Sequence, residues 1–353
     1  MTIDTSQSSV GFDPTPNAPA APAPTPVVPA NPSAAMSIRG LFKRFGDKVA
    51  VNGLSLDIPI GSFYGLVGPN GAGKTTTIKI IVGLLKPDGG TIRLGGEDAS
   101  AGGWEKHVGY VPDFFGVYDN LKVWEYMEFF AACYGLEGLR ARRRCSALLE
   151  QIGLEDKTEY YVDGLSKGMQ QRLCLARALI HDPEILILDE PMAGLDPRTR
   201  FDFKDTLREL RDQGKTIVMS SHVLSELSEI CTDVGIIDQG RMALTGNIRD
   251  ILSQVNSSNP IVITLFGGGT DKALNILKSH PFVHTITVKE QDIVVRFTGD
   301  KQDEAVLLQQ LVDSGLLVSG FTREQGSLES LFMQITGKDE ERTVLKYESE
   351  SGL

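Results

Sequence analysis

Residues 63–76 read Phe63-Tyr64-Gly65-Leu66-Val67-Gly68-Pro69-Asn70-Gly71-Ala72-Gly73-Lys74-Thr75-Thr76. The first five are apolar or small and predict a buried strand. Beyond the glycines, Ile78, Ile81, Val82 and Leu85 recur at helical spacing and predict a helix over 74–85. Gly68 to Thr75 fits G-x-x-x-x-G-K-[ST] in the strand–turn–helix context that the pattern requires. Gly68, Gly71 and Gly73 let the backbone wrap closely around phosphate oxygens. Successive N–H groups then point inward, backed by a helix N-terminus that favours negative charge. Lys74 adds a compact cation for the terminal phosphates, and Thr75 a hydroxyl for Mg²⁺. Pro69, Asn70, Ala72 and Thr76 complete a loop expected to bind a nucleotide.

A second stretch supports the first. Ile185-Leu186-Ile187-Leu188 is an apolar run that ends in Asp189-Glu190. A buried parallel strand with this ending places both carboxylates at the carboxyl edge of the sheet, where ligands bind in such folds. Asp189 is expected to hold Mg²⁺ and Glu190 to polarise an attacking water, the roles phosphoryl transfer needs.

Downstream of a helical region, Leu165-Ser166-Lys167-Gly168-Met169-Gln170-Gln171-Arg172 precedes Leu173, Ala176, Leu179 and Ile180 at helical spacing. At this point the sequence resembles the ATPase subunit of ATP-binding cassette (ABC) transporters. That family's signature is Leu-Ser-Gly-Gly-Gln, and three of the five positions match here. The resemblance implies that Ser166 and Gly168 bond the γ-phosphate of ATP held by the opposite subunit, so that each site is completed by dimerisation. Ala193-Gly194-Leu195-Asp196-Pro197 resembles the loop whose Asp196 reaches across the dimer. Ser220-Ser221-His222 resembles the switch histidine, with His222 linking the γ-phosphate to Glu190. Phe45 stands where the family places an aromatic on adenine, although taken alone it reads as a core residue.

One position departs from the family. Its usual Gln after Val-Gly-Tyr-Val-Pro is Asp113 here, and no Gln occurs between Ile78 and Glu150. A carboxylate there suits a hard cation such as Mg²⁺; the alternative is that it weakens the coupling to the membrane partner that the resemblance implies for the Gln. The following segment is rich in aromatics, among them Phe114, Phe115, Tyr118, Trp124, Tyr126, Phe129 and Phe130. An exposed apolar face is therefore expected, which the resemblance would offer to a helix of a transmembrane subunit. Arg140, Arg142, Arg143 and Arg144 read as a solvated helix face, with lipid headgroups or a partner as the alternative.

The chain has 353 residues, with 41% hydrophobic and 23% charged, which is ordinary globular composition. Lys plus Arg is 35 and Asp plus Glu is 46, a net charge of -11. That balance argues against general nucleic-acid affinity, which needs cations to displace counterions. Four scattered cysteines suggest a reducing compartment and no zinc site. No apolar run reaches the length of a spanning helix, and no basic-then-apolar N-terminus suggests a secretory signal.

The chain divides as follows. Residues 1–36 form a Pro/Ala-rich tail without a periodic apolar face, expected to be disordered. Residues 37–249 are an α/β P-loop NTPase domain of ABC type, with a helical insert over about 114–165. Residues 250–337 follow the order β-α-β-β-α-β of a small α+β, ferredoxin-like domain, including a closing helix capped by Ser327. Residues 338–353 form a flexible tail. The expectation is an ATPase that takes ATP and Mg²⁺, pairs with a second, identical copy, and powers a separate permease, with export implied by the C-terminal resemblance. It is expected in the cytoplasm, peripheral on the inner face of the cell membrane, without a nucleic-acid partner. The alternative is a soluble ABC-type mechanical ATPase acting on ribosomes or DNA. A single cassette, no sustained heptads between Lys74 and Ser166, and the acidic balance argue against it.

Overall fold

The computed structural model describes residues 34–114, 116, 120–252, 259–289, 292–323 and 327–335. Residues 1–33 of the Pro/Ala-rich tail, Phe115, Tyr118 and the C-terminal tail lie outside the described residues, whereas Ala34, Ala35 and Met36, expected to end that tail, begin the first strand of the fold, with Ala35 and Met36 buried. Three sheets organise the described residues. The first is antiparallel, in the order β2 (Lys48–Pro59), β1 (Ala34–Phe45), β4 (Gly89–Leu94), β5 (Glu97–Asp98). The second runs β10 (Arg241–Asn247), β9 (Asp233–Asp238), β3 (Phe63–Val67), β8 (Thr216–Ser221), β7 (Ile185–Leu188), β6 (Val108–Val111). In it β6, β7, β8, β3 and β9 are parallel neighbours, and β10 returns antiparallel to β9.

The central strands are buried on both faces, so their sequences are continuous apolar runs rather than alternations. Their side chains nevertheless divide by parity. Phe63, Val67, Leu186, Leu188, Ile217 and Met219 face one core. Tyr64, Leu66, Ile185, Ile187 and Val218 face the other. The second core is closed by the antiparallel sheet and by α1 (Lys74–Ile81). The first is closed by α2 (Val123–Cys133), α3 (Gly138–Gln151), α4 (Lys167–Ala178), α5 (Pro197–Asp212) and α6 (Leu224–Ile230).

Helix α1 is shorter than its apolar spacing predicts. It stops at Ile81 because Gly83 turns left-handed, with φ 72°, beneath the Trp104 indole. A Cβ on Gly83 would come within 2.6 Å of that ring.

The third sheet is antiparallel, in the order β12 (Val283–Lys289), β13 (Asp292–Phe297), β11 (Ile261–Leu265), β14 (Val318–Arg323). Helices α7 (Thr270–Ser279) and α8 (Lys301–Asp313) cross between its strands, and Ile263, Val295, Phe297, Leu277 and Leu307 build its own core. The last described helix, α9 (Leu328–Ile335), packs elsewhere. Leu328, Leu331 and Phe332 join the first core, as do Ile248 and Ile251. Ser327 caps α9 by accepting from the Ser330 N–H at 3.1 Å.

Candidate functional site

The loop between β3 and α1 is shaped by glycines that have no substitute. Gly71 and Gly73 lie at φ 83° and 107°. A Cβ on Gly68 would stand 2.3 Å from the Ile237 carbonyl oxygen, and one on Gly73 2.5 Å from that of Ala50. The β9–β10 turn fastens the loop, with the Gly240 N–H donating to Ala72 O at 2.9 Å. Pro69 O accepts from the Ala72 N–H at 3.1 Å inside it. The loop opens on a cavity of about 500 Å³ lined by Asn70 to Thr76, with Phe45, Asp113, Glu190 and His222 around it. Phe45 is half exposed at this rim rather than in the core, with the Lys43 ammonium 5.5 Å from its ring centre.

Lys74 is buried and donates to Gly68 O at 2.7 Å, with Glu190 Oε1 3.9 Å away. Burial pulls the Lys74 pKa below its ordinary value, opposed by the charges of Glu190 and Asp189. Asp189, directly after β7, is completely buried. Its Oδ1 accepts from Ser220 Oγ at 2.7 Å and from Thr75 Oγ1 at 3.4 Å. Burial pushes its pKa up, and the Asp113 and Glu190 charges add to that, while the two hydroxyls oppose it. Among the described residues Asp189 Oδ2 is a buried oxygen without a hydrogen-bond partner. A carboxylate so desolvated, beside a Thr hydroxyl and facing Asp113, fits a hard divalent cation.

Glu190 follows in the left-handed region at φ 48°, a strained setting for a non-glycine residue. Its N–H donates to Ser220 Oγ at 2.9 Å, and His222 Nδ1 lies 2.7 Å from Glu190 Oε2. Sequence reasoning gave Ser220 no role of its own. Its signal was a hydroxyl ending a wholly buried strand beside the carboxylate strand. The arrangement holds a carboxylate, oriented by an imidazole, opposite a phosphate cradle with its cation, and suits activation of water at a terminal phosphate.

Ser166, Gly168 and Asp196 are not part of this cavity. Gly168 and Asp196 meet through Thr199, and Ser166 lies two residues before Gly168 at the start of α4. Ser166 Oγ caps α4 by accepting from the Met169 N–H at 3.4 Å. Asp196 caps α5, its carboxylate accepting from the Thr199 hydroxyl at 2.6 Å and N–H at 3.0 Å. Those bonds hold its carboxyl below the usual range. A Cβ on Gly168 would stand 2.5 Å from the Thr199 methyl, and one on Gly194 2.6 Å from Lys167 Nζ. The two loops therefore form one packed unit.

In the insert, Tyr126 and Met127 are buried, and Phe114 and Phe129 are exposed. The arginine run splits in the same way. Arg140 and Arg143 are solvated and Arg142 pairs with Glu128, but Arg144 reaches back to the carbonyls of Leu179 and Ile180 at the end of α4.

Residues 51–193 match the ABC transporter family. The chain is 33% identical to the linearmycin resistance ATP-binding protein LnrL of Bacillus subtilis, over 86% of this chain and 98% of that one. It is 34% identical to the Nod factor export ATP-binding protein I of Cupriavidus pinatubonensis, over 91% and 95% respectively. Over 60% of the chain and 71% of its relative, identity to the Burkholderia orbicola protein of the same name is 43%. A solved structure described as the ATP-binding subunit of an ABC transporter superposes with a TM-score of 0.58 at 28% identity, covering 67% of this chain and 97% of that one.

Proposed function

The chain belongs to the ABC transporter family, and from that premise we propose how its residues serve an ATP-hydrolysing subunit of an exporter. Family members of this kind bind ATP, and its hydrolysis powers a membrane transporter. The observation that carries the residue assignment is the position of Glu190. One of its carboxylate oxygens is 2.7 Å from His222 and the other 3.9 Å from Lys74, at the cavity lined by the glycine loop.

In this reading Asn70 to Thr76 hold the phosphates of ATP through backbone N–H groups, and Lys74 exchanges Gly68 O for a phosphate oxygen. Gly68 and Pro69 set the curvature of the loop, and Phe45 stacks on the adenine. Thr75, Asp189 and Asp113 hold Mg²⁺, which neutralises phosphate charge when bound. Glu190 takes a proton from the attacking water, and His222 keeps its carboxylate aimed. Ser166, Gly168 and Asp196 complete the site of a second, identical copy. The export named for the Nod factor relatives favours an exporter; its permease would be a separate chain, with this subunit peripheral on the cytoplasmic face. Helices α2 and α3 form the helical insert that docks on the permease, and residues 250–337 include a ferredoxin-like unit, in keeping with their β-α-β-β-α-β order. No helix among the described residues is long and apolar enough to cross a membrane.

The test is Glu190→Gln against wild type. The expected result is ATP-dependent dimers that accumulate without turnover, and a multi-span membrane protein recovered with the tagged chain from detergent-solubilised host membranes. Unchanged turnover would overturn the assignment of Glu190. Recovery of ribosomal proteins alone would favour the mechanical reading.

A further inference from the structure

Two loops of the site are joined by a side-chain pair that the hydrolytic chemistry does not itself require. Arg200, in the first turn of α5, donates through Nε to Leu195 O at 2.9 Å, the carbonyl immediately before Asp196. Its NH1 donates to Glu226 Oε1 at 3.0 Å. Glu226 is buried at 8% exposure, in the first turn of the helix that follows His222. Its other oxygen accepts from Ser221 Oγ at 3.3 Å, and Ser221 Oγ accepts from the Val223 N–H at 3.0 Å. A ring is thereby closed. It runs from Glu190 along residues 191–195 to Arg200, through Glu226 to Ser221 and His222, and back to Glu190 by the 2.7 Å contact. A small cavity of about 90 Å³ lies among these residues, bordered by Pro191 to Gly194 on one side and Ser220 to Val223 on the other.

Glu226 is the buried member of the pair, but the Arg200 side chain is 37% exposed, and an ion pair that reaches solvent adds little to stability. The pair is therefore poorly explained by stability. Its two ends reach loops with different duties: one carries Asp196, which faces the other subunit in the reading above, and the other carries His222. We propose that Arg200 and Glu226 are positioning residues that transmit the placement of the 193–196 loop to His222, so that the Glu190 carboxylate is aimed for hydrolysis only when the opposite subunit has seated Asp196. The proposal rests on the dimeric reading and adds the link between the subunit contact and the site.

The experiment compares wild type, Arg200→Lys and the double variant Arg200→Met/Glu226→Leu, which leaves no lone buried charge. Readouts are turnover against ATP concentration, binding of a fluorescent ATP analogue, and thermal melting. The double variant is expected to melt within about 3 °C of wild type and to bind the analogue with similar affinity. Its kcat should fall about ten-fold, as a misaimed reacting group implies, and its Hill coefficient should drop toward one. Arg200→Lys keeps the charge beside Glu226 but cannot serve Leu195 O as well; it should retain wild-type melting with the same loss of cooperativity. It carries the test if the double variant does not fold. Wild-type kcat and Hill coefficient in either folded variant would overturn the proposal and leave a purely structural ion pair. A wild-type enzyme that is itself non-cooperative, with Glu190→Gln monomeric in ATP, would overturn the dimeric reading and this inference with it.

Discussion

Replacing Ser220 by alanine tests the electrostatics of the site more sharply than removing a catalytic group. The hydroxyl is completely buried, donates to Asp189 Oδ1 at 2.7 Å and accepts from the Glu190 N–H at 2.9 Å. Alanine leaves both partners in place without it. A hydrogen bond to a charged group is worth about 1.5–3 kcal/mol, and a buried N–H left unpaired costs about 1–3 kcal/mol. Water entering from the adjoining cavity offsets part of this, so the net loss should be roughly 2–4 kcal/mol, a large share of the roughly 5–15 kcal/mol that holds an ordinary domain. The pH dependence has a definite sign. The Asp189 pKa is already raised above 3.8 by burial, and the Ser220 bond opposes that rise. Above 3.8 the folded chain keeps a proton that the unfolded chain has lost, so stability falls as pH rises through that window. Losing Ser220 widens the window upward, so the penalty grows as pH rises through it and shrinks in acid. Urea unfolding at pH 7 and pH 5, with the pH profile of turnover, reads both effects. A stability within ~0.5 kcal/mol of wild type, or an acid limb of activity that does not move up, would refute this account.

Other outcomes follow from the same contacts. Asp113→Ala should lower ATPase activity and change its Mg²⁺ optimum; because the Asp113 charge raises the Asp189 pKa, the acid limb should also move down. Gly168→Ala pushes a methyl against Thr199, so turnover should fall, and adding Thr199→Ser should restore part of it in a double-mutant cycle. Arg144→Ala uncaps the last carbonyls of α4 and should cost roughly 1–2 kcal/mol in urea unfolding, where a solvated arginine would cost almost nothing. Asp57 is held below its usual pKa because the bonds from Arg39 and Ser37 outweigh burial. Its contribution is present above pH 3.8 and lost as pH falls through the lowered value, so Asp57→Asn should flatten stability across that acid range.

The strands and glycine loop of the site were legible because local sequence determines them. A buried strand, a phosphate loop and a helix start occupy adjacent residues, and Gly68 and Gly73 abut backbone that no side chain could share. The end of α1 was not legible, because it is set by Trp104, more than twenty residues further on. Arg144 looks like its neighbours until the fold brings the end of α4 beneath it. Ser220, Arg200 and Glu226 carry no motif: a serine, an arginine and a glutamate acquire their meaning only when β7, β8, α5 and α6 are adjacent.

The seat of α9 changes what kind of part the third sheet is. Ile248 and Ile251 before it and Leu328 after it belong to one and the same core. The unit over 261–323 is thus spliced into the ATPase fold and moored at both ends, rather than hung from its end. Shortening the chain at residue 252 and excising 261–323 with a short bridge are opposite operations. The first strips Leu328, Leu331 and Phe332 from the ATPase core and leaves a greasy scar; the second leaves that core whole. The accessory sheet can therefore diverge, or be exchanged for another, without disturbing the engine, provided the terminal helix still comes home.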